Sequence, residues 1–215
     1  MVNIVSFSEY KIVFARATRK SATIPKNPKT RIIFNRVDPK KYKIAINIYS
    51  ELIKKNTNDI WYMFYLRGIC YEQSDNWKKA ELDFLQSLKI KRNSPNVLNY
   101  LAYGWIERDI KIDESFVMLT DAYNANPDSH YILDSLAWAY FKKKDYVKAA
   151  ELMEEVIDMV PGEAISLDHL GDIYFAMNRK REAVYFWRQA KDLANPEDEI
   201  SDKIQNKLTM LAKSI

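Results

Sequence analysis

The sequence predicts an all-α chain built from consecutive pairs of antiparallel helices. A small residue followed three places later by a large aromatic residue recurs every 34 or 35 residues, in Gly68/Tyr71, Ala102/Trp105, Ala137/Tyr140 and Gly171/Tyr174. A second series in the same phase places a small residue four places before a large one, in Ala45/Tyr49, Ala80/Phe84, Ser115/Leu119, Ala149/Met153 and Ala183/Trp187. A fixed period of this length is the signature of a repeat architecture. Each repeat is therefore expected to contain two helices.

The composition favours helices throughout the array. Pro127 and Pro161 follow the second helix of their repeats, and proline disfavours helix both at its own position and at the residue before it. The chain has only 4 glycines among 215 residues, which leaves little room for hairpins or phosphate-binding loops. With 47% hydrophobic residues, stacked helix pairs can share a continuous core.

These repeats resemble the tetratricopeptide repeat family, whose 34-residue pattern ends in proline. Two stretches carry the resemblance most fully: Leu133, Leu136, Ala137, Tyr140, Ala149, Met153, Pro161; and Leu167, Leu170, Gly171, Tyr174, Ala183, Trp187, Ala190. The resemblance covers roughly residues 43–197 and weakens toward the N-terminus, where Arg67 replaces the expected leucine. The last two repeats also resemble the C-terminal part of long bacterial members. The family implies a right-handed superhelical solenoid.

We expect three segments along the chain. Residues 1–42 form a basic, proline-interrupted leader that is expected to be poorly ordered, and residues 43–197 form the array. The array divides into a half-repeat at 43–57 and full repeats at about 61–94, 95–129, 130–163 and 164–197. Residues 198–215 are expected to form a capping helix, because Ile200, Ile204, Leu208 and Leu211 make one apolar stripe. The half-repeat suggests a fragment of a longer repeat protein; alternatively, residues 1–20 fold back as an irregular cap.

The net charge of +4 is concentrated in the leader. Residues 1–43 contain 11 Lys or Arg against Glu9 and Asp38, so the remainder of the chain is acidic. Because the positive charge does not follow the array, nucleic acid is not the expected partner. Two alternatives stay open: a nucleic-acid-associated protein that uses the leader, and an envelope or secretion assembly factor whose targeting segment is missing. The sequence has no apolar run long enough for a transmembrane helix, and a cytoplasmic location is expected.

No enzymatic activity, cofactor or metal site is expected. The lone Cys70 lies inside a repeat and is predicted to be a packed thiol. The histidines His130 and His169 have no Cys or His partner at zinc-ligand spacing. Asp168 and Asp172 are four residues apart, but catalytic carboxylates need an enclosing pocket. We therefore interpret this pair as part of a solvated helix face.

In the family that these repeats resemble, four positions of each first helix face a concave groove. The peptide-binding residues predicted in this way are Tyr65, Asn96, Asn99, Tyr103, Tyr131, Asp134, Trp138, Asp168 and Asp172. The alternative for Asp134 and Trp138 is that they only pack between neighbouring helices. Some members bind acidic C-terminal tails through cationic side chains, and this chain has aspartates there instead. We expect a non-catalytic scaffold or adaptor that binds a neutral or basic protein segment, without an acidic C-terminal tail.

Overall fold

The computed structural model describes residues 39–55, 59–195 and 199–212. Ten helices and no strand lie within these ranges. The helices are α1 (Pro39–Lys54), α2 (Ile60–Glu72), α3 (Trp77–Ile90), α4 (Pro95–Ile106), α5 (Ile112–Ala125), α6 (His130–Lys142), α7 (Tyr146–Met159), α8 (Ala164–Ala176), α9 (Lys180–Leu193) and α10 (Glu199–Ala212). The predicted all-α class with helices in consecutive pairs is confirmed. The helices before Pro127 and Pro161 end at Ala125 and Met159, as the proline positions predict.

The chain divides into two compact units, and the division falls between Val97 and Leu98 inside α4. In the N-terminal unit, α2 packs against both α1 and α3. In the C-terminal unit, α6 packs against α5 and α7, α8 packs against α7 and α9, and α10 packs against α9. Sequence neighbours are therefore neighbours in space, as a helical repeat requires.

The departure at Arg67 has a structural explanation. The Arg67 guanidinium donates from Nε and Nη2 to the two carboxylate oxygens of Asp83, both at 2.7 Å, and from Nη1 to Ser50 Oγ at 2.9 Å. Asp83 lies on α3 and is buried, so α2 and α3 share an ion pair where the family pattern has a leucine. A bidentate guanidinium–carboxylate pair fixes geometry as well as charge. Cys70 on the same helix is buried, and burial raises the pKa of its thiol to about 12.

The two glycines of the first series each have a large ring lying against them. A Cβ added at Gly68 would lie 2.7 Å from the Phe84 ring, and one added at Gly171 would lie 2.5 Å from Trp187 Nε1. Both rings belong to the second helix of the same repeat. These two repeats therefore close by placing a large ring against a helix that has no side chain there.

The turn between the two helices of each repeat contains a residue with a left-handed backbone. Asp75, Asp109, Lys144 and Asn178 have φ values between 53° and 65°, and they recur at intervals of 34 or 35 residues. Aspartate and asparagine tolerate this conformation better than most other residues, because their short polar side chains can hydrogen-bond to the nearby backbone. Lysine has no such short polar side chain. Lys144 is therefore the strained member of the series.

Helix α6 lies at the centre of the C-terminal unit, because each of its residues from Tyr131 to Ala139 is buried. Its apolar side chains join one core cluster with those of α7, α8 and α9. Ile204 and Leu211 of α10 belong to the same cluster, and Ile200 and Leu208 pack against it. The predicted apolar stripe of the last helix therefore faces the core.

The segment limits stay predictions. Helix α1 begins at Pro39, four residues before the expected start of the half-repeat. Proline suits the first position of a helix, where its missing N–H would have no intrahelical partner. The rest of the predicted leader, residues 1–38, lies outside the described residues, as do residues 196–198 and 213–215 at the predicted cap.

Candidate interaction site

Two of the nine predicted groove residues belong to the N-terminal unit. Tyr65 on α2 is buried, with its ring centroid 5.9 Å from that of Tyr62 and 6.3 Å from that of Phe84. Asn96 is half-buried in the first turn of α4. The packing of Tyr65 leaves little of its ring for a partner.

Three more predicted residues lie on α4 and α6 of the C-terminal unit. Asn99 is fully buried, and neither atom of its side-chain amide has a hydrogen-bond partner in the described part of the chain. Tyr103 is half-buried. Tyr131 is buried in a small cluster with Ala122 and Ile132, and burial raises the pKa of its hydroxyl, an effect that Ser129 partly opposes.

Asp134 is the centre of a buried polar cluster between α6 and α8. Its carboxylate accepts a hydrogen bond from Ser166 Oγ at 3.0 Å, and its other oxygen lies 3.1 Å from His169 Nδ1. Burial alone would lower the pKa of His169. The charge and hydrogen bond of Asp134, together with the charges of Glu107 and Asp168, outweigh burial, so the pKa is raised. Asp134 therefore stabilises the imidazolium form.

Trp138 lies beside this cluster on α6. Its ring stacks on His169 at 4.2 Å between centroids and on Phe141 at 4.4 Å, with interplanar angles of 13° and 9°. Its indole Nε1 donates to Glu107 at 2.8 Å. The side chain is 8% exposed, so most of its surface is already in contact with this chain.

Asp168 and Asp172 hold a lysine of the last helix. Lys207 Nζ donates to the two oxygens of Asp168 at 2.8 and 2.9 Å and to the Asp172 carboxylate at 2.7 Å. Trp187 Nε1 also donates to Asp172, at 3.0 Å. The interpretation of these acids as a solvated face is wrong, because Asp168 is buried and both carboxylates are paired.

The electrostatics of this acid pair follow from its burial. Burial raises the pKa of Asp172, and the charge of Asp168 raises it further, while Lys207 opposes both effects. Two carboxylates face one ammonium, so a net charge of −1 remains at the cluster when all three groups are ionised. The cluster therefore attracts cations even with Lys207 in place.

The structure groups the predicted residues differently from the sequence. It brings Asp134 and Trp138 into contact with His169, and it joins Asp168 and Asp172 through Lys207. Sequence reasoning missed Glu107, His169 and Lys207 as parts of these clusters. The sequence does indicate that Lys207 lies near the core, because it directly precedes Leu208 of the apolar stripe on α10.

Two general properties of the described residues bear on function. No group of three His, Cys, Asp or Glu side chains there could hold a metal ion. Among the helices within the same ranges, none has both the length and the apolar character needed to cross a membrane.

Comparison with known proteins points to one family. A family model described as a tetratricopeptide repeat matches residues 133–162, which span α6 and α7. Among curated proteins, the chain is similar to TPR repeat-containing protein PA4667 of Pseudomonas aeruginosa, with 23% identity over 110 residues. That stretch is 51% of this chain and 18% of the relative, so the chain matches less than a fifth of that bacterial protein's length.

Solved structures share the fold across most of the chain. MamA of Desulfovibrio magneticus has a TM-score of 0.60 at 17% identity, with 88% of this chain and 97% of that chain covered. TTC0263, a thermophilic TPR protein of Thermus thermophilus, has a TM-score of 0.64 at 16% identity, with 79% and 92% covered. Identities this low show the fold alone. Together with the period and the paired helices, these likenesses show that the chain has the tetratricopeptide repeat fold and that residues 133–162 match the model of that family.

Proposed function

We propose that this chain is a non-catalytic scaffold whose C-terminal unit binds a neutral or basic polypeptide segment along the first helices of its repeats. Tetratricopeptide repeat proteins are generally protein–protein interaction scaffolds. The finer proposal rests on the side chains that α4, α6 and α8 leave accessible in this unit.

The observation that carries the proposal is a set of accessible aromatic and acidic side chains on these helices and the turn after α4. Tyr103 and Phe141 are half-buried, Glu107 is exposed, and Phe175 is 46% exposed. Aromatic rings supply large contact areas at a low entropy cost, and they are enriched in protein interfaces. We call Tyr103, Glu107, Phe141, Asp172 and Phe175 the first-helix face.

Charge determines which partner suits the first-helix face. Glu107 and Asp172 lie on it, and Asp172 shares Lys207 as a basic partner with the buried Asp168. An acidic tail would meet carboxylates, while a lysine or arginine would find hydrogen-bond acceptors. The proposed partner segment is therefore neutral or basic, with apolar side chains that contact Phe141 and Phe175.

The test must avoid substitutions that unfold the protein. Asp134 and Trp138 are buried in contacts of their own, so their replacement would change stability as well as binding. We would instead use Glu107→Gln with Phe175→Ala, since glutamine can still accept the Trp138 hydrogen bond. A matched control carries Glu155→Gln with Tyr185→Ala, which remove an exposed acid from α7 and an exposed aromatic ring from α9.

The measurement is affinity capture from lysate of the source organism, with bound polypeptides quantified by mass spectrometry. The three baits are the unaltered chain, the Glu107→Gln/Phe175→Ala chain, called the first-helix variant, and the Glu155→Gln/Tyr185→Ala control. We expect at least one polypeptide to fall tenfold or more with the first-helix variant and to stay unchanged with the control. Identical polypeptide sets from all three baits would refute the proposed face. Circular dichroism of each bait shows whether the variants remain folded.

A further inference from the structure

The cluster around Lys207 has the geometry of a lysine-binding site. An ammonium group has three N–H donors, and Lys207 Nζ meets three short contacts with carboxylate oxygens of Asp168 and Asp172. The Trp187 ring lies 5.7 Å from the same nitrogen, within the range of a cation–π contact. Both the charge and the donor count of a lysine are therefore matched.

The position of Asp168 also carries an aspartate in the preceding repeat. Asp134 and Asp168 are 34 residues apart, so they occupy equivalent places on α6 and α8. The next first helix contacts Asp134 through Ser166 and His169, whereas Asp168 is contacted by Lys207 of α10. The last helix thus fills the place that the first helix of a further repeat would take, and it does so through a lysine.

Helix α10 has fewer buried residues in the described range than the other helices of the C-terminal unit. Of its side chains in the described range 200–211, those of Ile204 and Leu211 are buried. By comparison, three residues of α9 and eight residues of α8 are buried. Segments with few buried contacts open at the lowest free-energy cost. Displacement of α10 is therefore an accessible event that leaves Asp168, Asp172 and Trp187 on the surface.

We propose that Asp168, Asp172 and Trp187 form a lysine-binding subsite that α10 occupies within the chain and that a lysine-bearing amphipathic helix of a partner occupies by displacing α10. The partner helix carries the α10 spacing, with apolar residues three places before the lysine and one and four places after it. This inference rests on the proposed function, because it names the partner chemistry at one end of the first-helix face. Charge complementarity and the small number of buried residues in α10 are the observations behind it.

The experiment uses the full chain and a fluorescent peptide with the sequence of residues 199–212, titrated by fluorescence anisotropy. Ile204→Ala with Leu211→Ala weakens the chain's own α10, and Asn206→Ala with Met210→Ala is the matched control on the exposed side of that helix. We expect the weakened variant to bind the peptide at least tenfold more tightly than the control or the unaltered chain. Replacing the peptide lysine that corresponds to Lys207 by methionine, with the one that corresponds to Lys203 kept, should weaken binding at least tenfold.

Equal affinity for the weakened variant and the control would overturn the proposal, as would an affinity that does not change when the peptide lysine corresponding to Lys207 is replaced. If circular dichroism shows the weakened variant to be unfolded, Lys207→Met in the full chain decides the question by hydrogen exchange. The proposal expects α10 amides to exchange at least tenfold faster in this variant while α6 amides are unchanged, and unchanged α10 exchange contradicts it. Lysate capture with the Glu107→Gln/Phe175→Ala bait tests the proposed function separately, because that bait keeps Asp168, Asp172, Trp187 and Lys207, although the Phe175 ring that it removes lies 5.5 Å from that of Trp187.

Discussion

The ion pair between Arg67 and Asp83 gives the sharpest stability prediction. The Asp83 side chain is 6% exposed and that of Arg67 is 17% exposed, and two 2.7 Å hydrogen bonds join them. Arg67→Leu restores the family's residue but leaves the carboxylate buried without its cation. Breaking a buried pair in this way costs about 3–5 kcal/mol. Because water reaches part of the guanidinium, we expect a loss near the lower limit, about 3 kcal/mol.

Replacing both partners should remove most of this loss. Arg67→Leu with Asp83→Leu leaves no charge to desolvate, and leucine branches at the same carbon as aspartate. Exchange of a buried pair for apolar residues is often neutral or stabilising, so we expect the double variant to lie within about 1 kcal/mol of the original chain. The sequence pattern alone would make Arg67→Leu an improvement.

Urea unfolding of the four chains in this double-mutant cycle measures the coupling. Two of the five tryptophans, Trp61 and Trp77, lie in the N-terminal unit, so tryptophan fluorescence and circular dichroism at the helix band both report on unfolding of the whole chain. A coupling free energy of about 2 kcal/mol or more supports the reasoning. A single Arg67→Leu variant that unfolds at the original urea concentration, or additive effects of the two changes, would refute it.

Three further predictions concern the C-terminal unit. The folded-state pKa of His169 is raised above its unfolded value, so protonated His169 stabilises the fold fully below about pH 6.5. This stabilisation is lost as the pH rises through the folded-state pKa. The urea midpoint of unfolding should therefore fall as the pH rises, and it should fall less in His169→Gln. Lys144→Gly relieves a left-handed backbone and should stabilise by about 0.5–1 kcal/mol in thermal unfolding, while Lys143→Gly, at φ −78°, should destabilise. Gly171→Ala should destabilise by about 1–3 kcal/mol in urea, because its methyl group would overlap the buried Trp187 ring; an unchanged midpoint would contradict that packing.

The helices and their pairing could be predicted from the sequence, because they depend on steric and backbone requirements within each repeat. Gly68 and Gly171 mark places where a ring of the paired helix leaves no space for a side chain, and such steric demands recur with the repeat. Pro127 and Pro161 end helices through local backbone chemistry. Features of this kind depend on residues within one repeat, so their spacing along the chain reveals them.

The site residues depend on contacts between repeats, which spacing along the chain does not measure. Asp134 and Trp138 fit groove positions, yet the neighbouring helix α8 covers them with Ser166 and His169. Lys207 lies 39 residues from Asp168, and no local pattern connects them. Burial and pairing across helices decide whether an acid is free for a partner, and they become visible only in three dimensions.

Site-specific photo-cross-linking tests the scaffold proposal most directly. Benzoylphenylalanine at position 175 places the reactive group on the first-helix face, and the same residue at position 185 places it on the exposed surface of α9. We predict that irradiation in the source organism joins a polypeptide to position 175 and that Glu107→Gln in the same chain reduces its yield. Cross-links that form only at position 185, or equally at both positions, would contradict the account.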